Sequence, residues 1–249
     1  MTTRSILCVL WPILTCSAQA ELLELDDVAS AERLVVRAWQ ATVELRDSED
    51  SGLTVDYECT SANSSGSDDL REVGGGRERP ELRRFDGIIM LVATEVTGYC
   101  QLRIVAPATL DAELQVTDKG SISVYGWSSS LAAWLAVGDL KVVQQMGPFS
   151  VTAMSGEASV ELAAQALSSD SGITAANGNV VLTVLGRPAV TIRAQAPQGR
   201  IKTNLEEDFA IETHNGQDWS TAQLSGGGAV ITLRNLNSDI AILGSDDRP

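Results

Sequence analysis

The sequence predicts an all-β fold, a single-domain β-solenoid with two strands per coil of roughly 18–22 residues. Three observations carry that expectation. The first is a returning phrase of a small residue followed by two apolar residues at alternate positions. It reads Gly120-x-Ile122-x-Val124, Gly138-x-Leu140-x-Val142, Gly147-x-Phe149-x-Val151, Gly156-x-Ala158-x-Val160, Gly178-x-Val180-x-Leu182, Gly199-x-Ile201-x-Thr203 and Ser238-x-Ile240-x-Ile242. The second is its step: Gly120, Gly138 and Gly156 lie 18 residues apart, and Gly147 falls midway between the last two, so the unit is nine residues. The third is the absence of apolar spacing at three and four. A glycine every nine residues would also cost a helix about 1 kcal/mol each time relative to alanine. One corner plus one strand per unit, and two units per coil, places the apolar pair between two facing sheets.

The elements follow in order. Residues 1–20 have one basic residue, Arg4, an apolar run from Ile6 to Leu14 and the small-residue ending Ala18-Gln19-Ala20, which is the pattern of a secretory signal peptide. The run is shorter than the roughly 20 apolar residues of a membrane span and is broken by Pro12, so no transmembrane segment is expected after cleavage. A lipoprotein signal cleaved before Cys16 is the competing reading, although Thr15 stands where a smaller residue is usual. Residues 21–106 form an N-terminal β region. Arg33–Arg37, Ala41–Arg46 and Leu53–Cys59 alternate apolar and polar residues, as half-buried strands do. Residues 60–86, rich in Ser, Asp and Gly and then in charge, are expected to be a mobile loop. Ile88–Val96 and Cys100–Val105 read as strands, expected to pair with the strand ending at Cys59. Residues 107–244 are the repeat solenoid, with successive coils stacked on one another and an insertion at 212–227; 245–249 are a polar tail that ends the sheet.

Cysteine usage agrees with export. Cys8 and Cys16 lie in the signal segment, so Cys59 and Cys100 remain as the only pair, and an isolated pair in an exported protein favours a disulfide. The chain has 33 Asp and Glu against 18 Lys and Arg, a formal net charge of −15, which makes nucleic acid a poor partner. The acidic residues are scattered without a long block, as on a solvated surface.

Three phrases, Asp118–Val124, Ala176–Leu182 and Leu236–Ile242, resemble the Ser-Asn-Gly-Asp-Ile-x-Val theme of a bacterial family of adhesin-like domains of unknown function (DUF4097-like). Ile104-Val105-Ala106-Pro107 is similar to that family's entry into its solenoid, and the resemblance spans roughly residues 30–243. The chain departs from the theme at Lys119, at Met146-Gly147-Pro148 and at Gln198. The resemblance implies a β-solenoid and surface interaction. The family has no agreed catalytic or binding residues to carry over.

No constellation in the sequence specifies a reaction. Gly74-Gly75-Gly76 lacks the Lys-Ser/Thr of a phosphate loop, and there is no nucleophile elbow, no paired histidine and no calcium-binding nonapeptide run. Asp139, Glu157, Glu161 and Asp170 are carboxylates at turn or outward positions without partners at the same phase. His214, the only histidine, reads as a solvated turn residue. Trp134, out of phase with Leu131 and Ala133, and Trp219, in the insertion, are the candidate partner contacts. The expectation is an exported protein without catalytic, cofactor or metal residues, in the periplasm or at the cell surface. It would bind an unidentified protein or polysaccharide; a structural or assembly role is the alternative, and a polysaccharide-active enzyme a weaker one.

Overall fold

A computed structural model describes residues 21–26, 28–60, 79–94, 98–165, 167–207, 209–214 and 216–245. The expected signal segment, residues 1–20 with Cys16, most of the expected 60–86 loop and the tail beyond Ser245 lie outside these residues. All regular structure described is β. The N-terminal strands are β1 (Glu21–Leu25), β2 (Arg33–Ala38), β3 (Ala41–Asp47), β4 (Leu53–Thr60), β5 (Glu81–Phe85), β6 (Ile88–Ala93) and β7 (Tyr99–Ala106). The long strands β8 (Asp111–Tyr125) and β9 (Leu131–Gln145) come next. They are followed by β10 (Phe149–Ser155), β11 (Ala158–Leu162), β12 (Ser171–Asn177), β13 (Val180–Leu185), β14 (Val190–Gln195) and β15 (Ile201–Thr203). The last four are β16 (Ala210–His214), β17 (Gln217–Leu224), β18 (Ala229–Asn235) and β19 (Ile240–Ser245).

The pairings resolve into two facing sheets. Sheet I runs β5, β6, β2, β8, β9, β10, β12, β18, β14, β17, β16; sheet II runs β1, β4, β7, β3, β8, β9, β11, β13, β19, β15. Strands β8 and β9 belong to both because each bends at its glycine, Gly120 or Gly138, and continues into the second sheet, so the hydrogen-bond ladder is continuous. The predicted coil length holds where neighbours are in register: Leu131 pairs with Phe149, 18 residues on, and Ser150 with Gly172, 22 on. The apolar pair points inward in every phrase but Gly199-x-Ile201-x-Thr203, where Ile201 is half-buried and Thr203 exposed. Ile122, Val124, Leu140, Val142, Val160, Val180, Leu182, Ile240 and Ile242 are all buried in one continuous core. Each such side chain removed from water stabilises the fold by about 1.5–3 kcal/mol. Trp127, fully buried at a corner, plugs the same core.

The corners are set by close approach. A Cβ added to Gly138 would lie 1.8 Å from the carbonyl oxygen of Gly120, and one on Gly156 would lie 2.0 Å from that of Gly138. The series continues through Gly178 against Gly156 and Gly199 against Ser238. Gly138 also has φ +126°, which a side chain disfavours. Aspartates complete the corners. The Oδ1 atoms of Asp47, Asp111, Asp139, Asp170 and Asp239 accept the backbone N–H of Ala108, Ser130, Glu157, Val230 and Arg200, at 2.9–3.3 Å. Where the backbone turns from one sheet to the other these N–H groups need an acceptor from outside the ladder, and a short carboxylate on the adjacent coil supplies it.

Four features differ from the sequence reading. Coils do not stack in chain order at the ends: β2 and β3 sit between the β6/β7 coil and β8. Likewise β18 and β19 sit between the β12/β13 and β14/β15 coils. All coils present the same small corner and apolar pair, so the pattern defines a coil without defining its neighbour. Asn235 locks the late coil in place, its Nδ2 donating to the carbonyls of Gly178 and Asp239 and its Oδ1 accepting from Asn237 and Ser238. Secondly, the 60–86 segment contains strand β5, whose charged outer residues flank the inward Leu82 because it lies at a sheet edge. Thirdly, the 212–227 insertion is mainly the β16/β17 hairpin, which extends sheet I beyond β14. Finally, of the two segments expected to pair with β4, only β7 does; β6 belongs to the opposite sheet, and β19 is an interior strand rather than the sheet's end.

Cys59 and Cys100 are opposite each other on β4 and β7 and form a disulfide, with Cα atoms 4.1 Å apart. Replacing both by alanine opens a bridge between residues 41 apart, and a loss of about 3–4 kcal/mol in unfolding free energy is expected. Thiol titration of the parent protein should find neither Cys59 nor Cys100 reactive. Gly138→Ala is expected to destabilise by about 2–4 kcal/mol, from backbone strain and displacement of the neighbouring coil. Gly216, with φ +74° and no heavy atom within 4 Å of its Cβ position, should lose only about 1–2 kcal/mol as alanine. Denaturant titrations compare the two; equal losses would mean that the corner stack contributes nothing. Lys202 donates a hydrogen bond to Asp239, and the Arg200 N–H adds another, so the Asp239 carboxyl falls from 3.8 to about 2. A lowered folded-state value stabilises the fold fully above the ordinary carboxylate range, and that contribution is lost as pH falls through about 2. Asp239→Asn should therefore flatten the acid limb of the stability curve while leaving its slope near neutrality unchanged.

Candidate interaction surface at the C-terminal end

Strand β14 places Val190, Ile192 and Ala194 in the core and turns Thr191, Arg193 and Gln195 to the outer face of sheet I. Arg193 is in register with Thr232 of β18 on one side and Thr221 of β17 on the other. Two residues along β17, on the same face as Thr221, comes Trp219, whose partner on β16 is Glu212. Arg193, Glu212, Thr213, Trp219 and Thr232 line a cleft of about 220 Å³ on the outer face. Trp219 also borders a second hollow, of about 410 Å³, with Gln195, Pro197, Ile201 and Ile211 among its walls. Trp219 thus borders both recesses.

The polar groups of this region are incompletely satisfied. Of the five buried side-chain polar atoms without a hydrogen-bond partner among the described residues, three belong to β14 and β17: Arg193 Nε, Gln195 Oε1 and Thr221 Oγ1. A buried donor or acceptor left without a partner costs about 1–3 kcal/mol. Arg193 forms no ion pair with a described residue, although Glu212 lines the same cleft. Some other outer-face cations are paired, such as Arg200 and Lys202 with Asp239 and Arg103 with Asp56. The arrangement therefore offers an aromatic face, a half-buried guanidinium, a carboxylate and the Thr232 side chain within one recess, while the Thr213 hydroxyl donates to Asp218.

The other candidates separate cleanly. Trp134 is half-buried on the outer face in the middle of sheet I, in register with Gln115 and Thr152, and none of the cleft's residues adjoins it. Asp139 and Asp170 are corner acceptors for backbone N–H groups. Glu157 is exposed and Glu161 half-buried on the outer face of sheet II. His214 lies opposite Gln217 at the end of the β16/β17 hairpin. No group of three or more metal-ligating side chains occurs among the described residues. Arg193 was missed in the sequence because an arginine at an outward strand position reads as a solvated charge. Its significance comes from a register with Thr221 that places it near Trp219, and that register depends on an antiparallel hairpin no repeat predicts.

No family model and no curated protein sequence matches the chain. Among solved structures, a candidate cell adhesion protein from Clostridium sporogenes ATCC 15579 aligns with 91% of this chain and 100% of its own, at 10% identity and a TM-score of 0.42. A candidate adhesin from Bacteroides fragilis NCTC 9343 aligns with 92% of this chain and 98% of its own, at 13% identity and a TM-score of 0.45. Likenesses of this order assign the chain neither a family nor an activity.

Proposed function

We propose that this chain is a non-enzymatic, adhesin-like binding module of an exported protein, and that the recess around Trp219 and Arg193 takes a polysaccharide. The observation that carries the reading is the half-buried arginine without an ion-pair partner beside an accessible indole. A sugar ring has an apolar C–H face that stacks on an aromatic side chain and a rim of hydroxyls that both donate and accept. Such a rim can satisfy Arg193 and Glu212 together, which a purely anionic or purely cationic ligand cannot. The Cys59–Cys100 disulfide supports an oxidising compartment outside the cytoplasm, the periplasm or the cell surface. No helix of the described residues is long and apolar enough to cross a membrane.

The test is titration of the full chain against an array of neutral, acidic and amino polysaccharides, followed by calorimetry on those retained. Trp219→Ala and Arg193→Ala should each weaken binding by about tenfold or more. Trp134→Ala, outside the recess, should change it by less than about threefold. Unchanged binding by both recess variants would reject the site. Turnover of the polymer abolished by Glu157→Gln or Glu161→Gln in a folded protein would reject the non-enzymatic reading. Retention of a protein in place of any polymer would leave the recess a partner contact of a different class.

A further inference from the structure

We infer that the polymer held in this recess is acidic: one sugar ring lies on Trp219, and an anionic group of that ring or the next, a carboxylate or a sulfate, is held between Arg193 and Arg234. This deepens the polysaccharide reading and rests on it.

Arg234 is the exposed outward residue of β18 two positions after Thr232, the partner of Arg193, and is itself in register with Gln195 of β14. Arg193 and Arg234 are therefore diagonal neighbours on one face of adjacent strands. One strand spacing and two residues of rise separate their backbones by about 8 Å. Long side chains at that separation reach one another, or one group placed between them. Neither guanidinium forms an ion pair or a hydrogen bond with a described residue. The chain has 33 acidic residues against 18 basic ones, so the lack is one of placement and not of supply. Two uncompensated like charges this close repel each other, and a single anion shared between them relieves both.

The neighbouring side chains fix the rest of the site. Beyond the Arg193–Thr221 pair, the next outward residues are Gln195 on β14 and Trp219 on β17. Glu212, Trp219, Gln195 and Arg234 thus follow one another across β16, β17, β14 and β18. Gln195 and Thr221, each 6% exposed, carry the unpartnered Oε1 and Oγ1 atoms. Gln195 stands between the indole and Arg234, and Thr221 beside Arg193, so these unpartnered groups lie where the ligand's hydroxyls pass. The row is polarised, with the carboxylate toward the sheet edge and the cations on the inner side. A ring over Trp219 can donate hydroxyls to Glu212 and turn its acidic group the other way. Trp219 and Arg234 are two strand spacings apart, about 10 Å, the length of about two sugar rings. Trp134 is three strands beyond Arg234, through Thr174 and Thr152, and outside that span. The net charge of −15 does not oppose this contact. Exposed charges are screened over about 8 Å at physiological ionic strength, whereas the held group touches two guanidinium forks shaped for an oxyanion.

Calorimetric titration of the full chain, at low and high salt, tests this with paired probes. These are tetrasaccharides of galacturonate, glucuronate and mannuronate, each beside its methyl-esterified form, and a sulfated galactan tetrasaccharide beside its desulfated form. At least one acidic probe should bind about tenfold or more tightly than its neutral form, and salt should weaken it. Arg234→Gln, at an exposed position, should lower affinity for that acidic probe by about tenfold and leave its neutral form within about threefold. Circular dichroism establishes that the variants are folded. Preference for a uronate identifies the held group as a carboxylate, and preference for the sulfated probe identifies it as a sulfate; both support the inference. Equal binding of acidic and neutral forms, or an Arg234→Gln variant that weakens both alike, overturns it, as does an absence of binding by every acidic probe. If Trp219→Ala still weakens binding in the first two cases, the recess stands and only the acidic assignment falls. Binding of every probe unchanged by Trp219→Ala rejects the recess and this inference with it.

Discussion

The constraint on which the rest of the structure depends is the distance between backbones at the inner corner. At Gly120, Gly138, Gly156 and Gly178 the carbonyl oxygen of the neighbouring coil, beginning with that of Ala41, fills the space a Cβ would occupy. Coils separated by one strand spacing of about 4.8 Å leave no room there for a side chain. Because the corner is tight, the strands on either side leave it in register, and the apolar residues two and four positions on meet between the sheets. The core is thus a consequence of the corner: relax one corner and the inward positions of two coils no longer face each other.

The acidic composition has a structural share. Five aspartates at corners accept N–H groups from the adjacent coil, so part of the excess of carboxylates is built into the coil-to-coil contacts rather than held for a ligand. Asp239 shows the strongest version, bridging to both Arg200 and Lys202 on the next coil. Carboxylates that looked like candidates for chemistry, Asp139 and Asp170, are explained by this role. What remains unexplained by folding is concentrated where the solenoid's regularity fails, on β14 and the β16/β17 hairpin. Three orphaned polar atoms collect there, one of them the Nε of the Arg193 guanidinium, which has no counter-ion and lines a cleft with Trp219. Local costs of that kind are retained where a surface is used.

The two ends of the solenoid are built differently from its middle. Coils out of chain order and antiparallel strands occur at the N-terminal end, with β1, β4 and β5, and at the C-terminal end, with β17 and β16. In the middle, each coil covers the apolar pair of the one before it, and identical phrases suffice. An end coil has a neighbour on one side only, so its exposed side must be finished by other means, here a returning coil and a hairpin. The finish is incomplete at Ile211 and Phe85, which is why the ends, not the flanks, carry the most accessible apolar surface.

The sequence by itself determined the coil. Period-two alternation with a small residue every nine positions dictates strand, corner and inward pair, because both the side-chain alternation of a strand and the clearance of a corner are local properties. It also pointed to the pairing of Cys59 with Cys100, the only two cysteines beyond residue 20. Only the tertiary structure decided the order of the coils, since Ile240 and Ile242 would pack equally well against any neighbour of the same pattern, and Asn235 selects Gly178 through contacts 57 residues away in sequence. It alone placed Arg193, Thr221 and Trp219 on one face, because their proximity depends on how an antiparallel hairpin registers against a parallel stack. The burial of Trp127 was decided in the same way: what covers a side chain is set by segments distant along the chain.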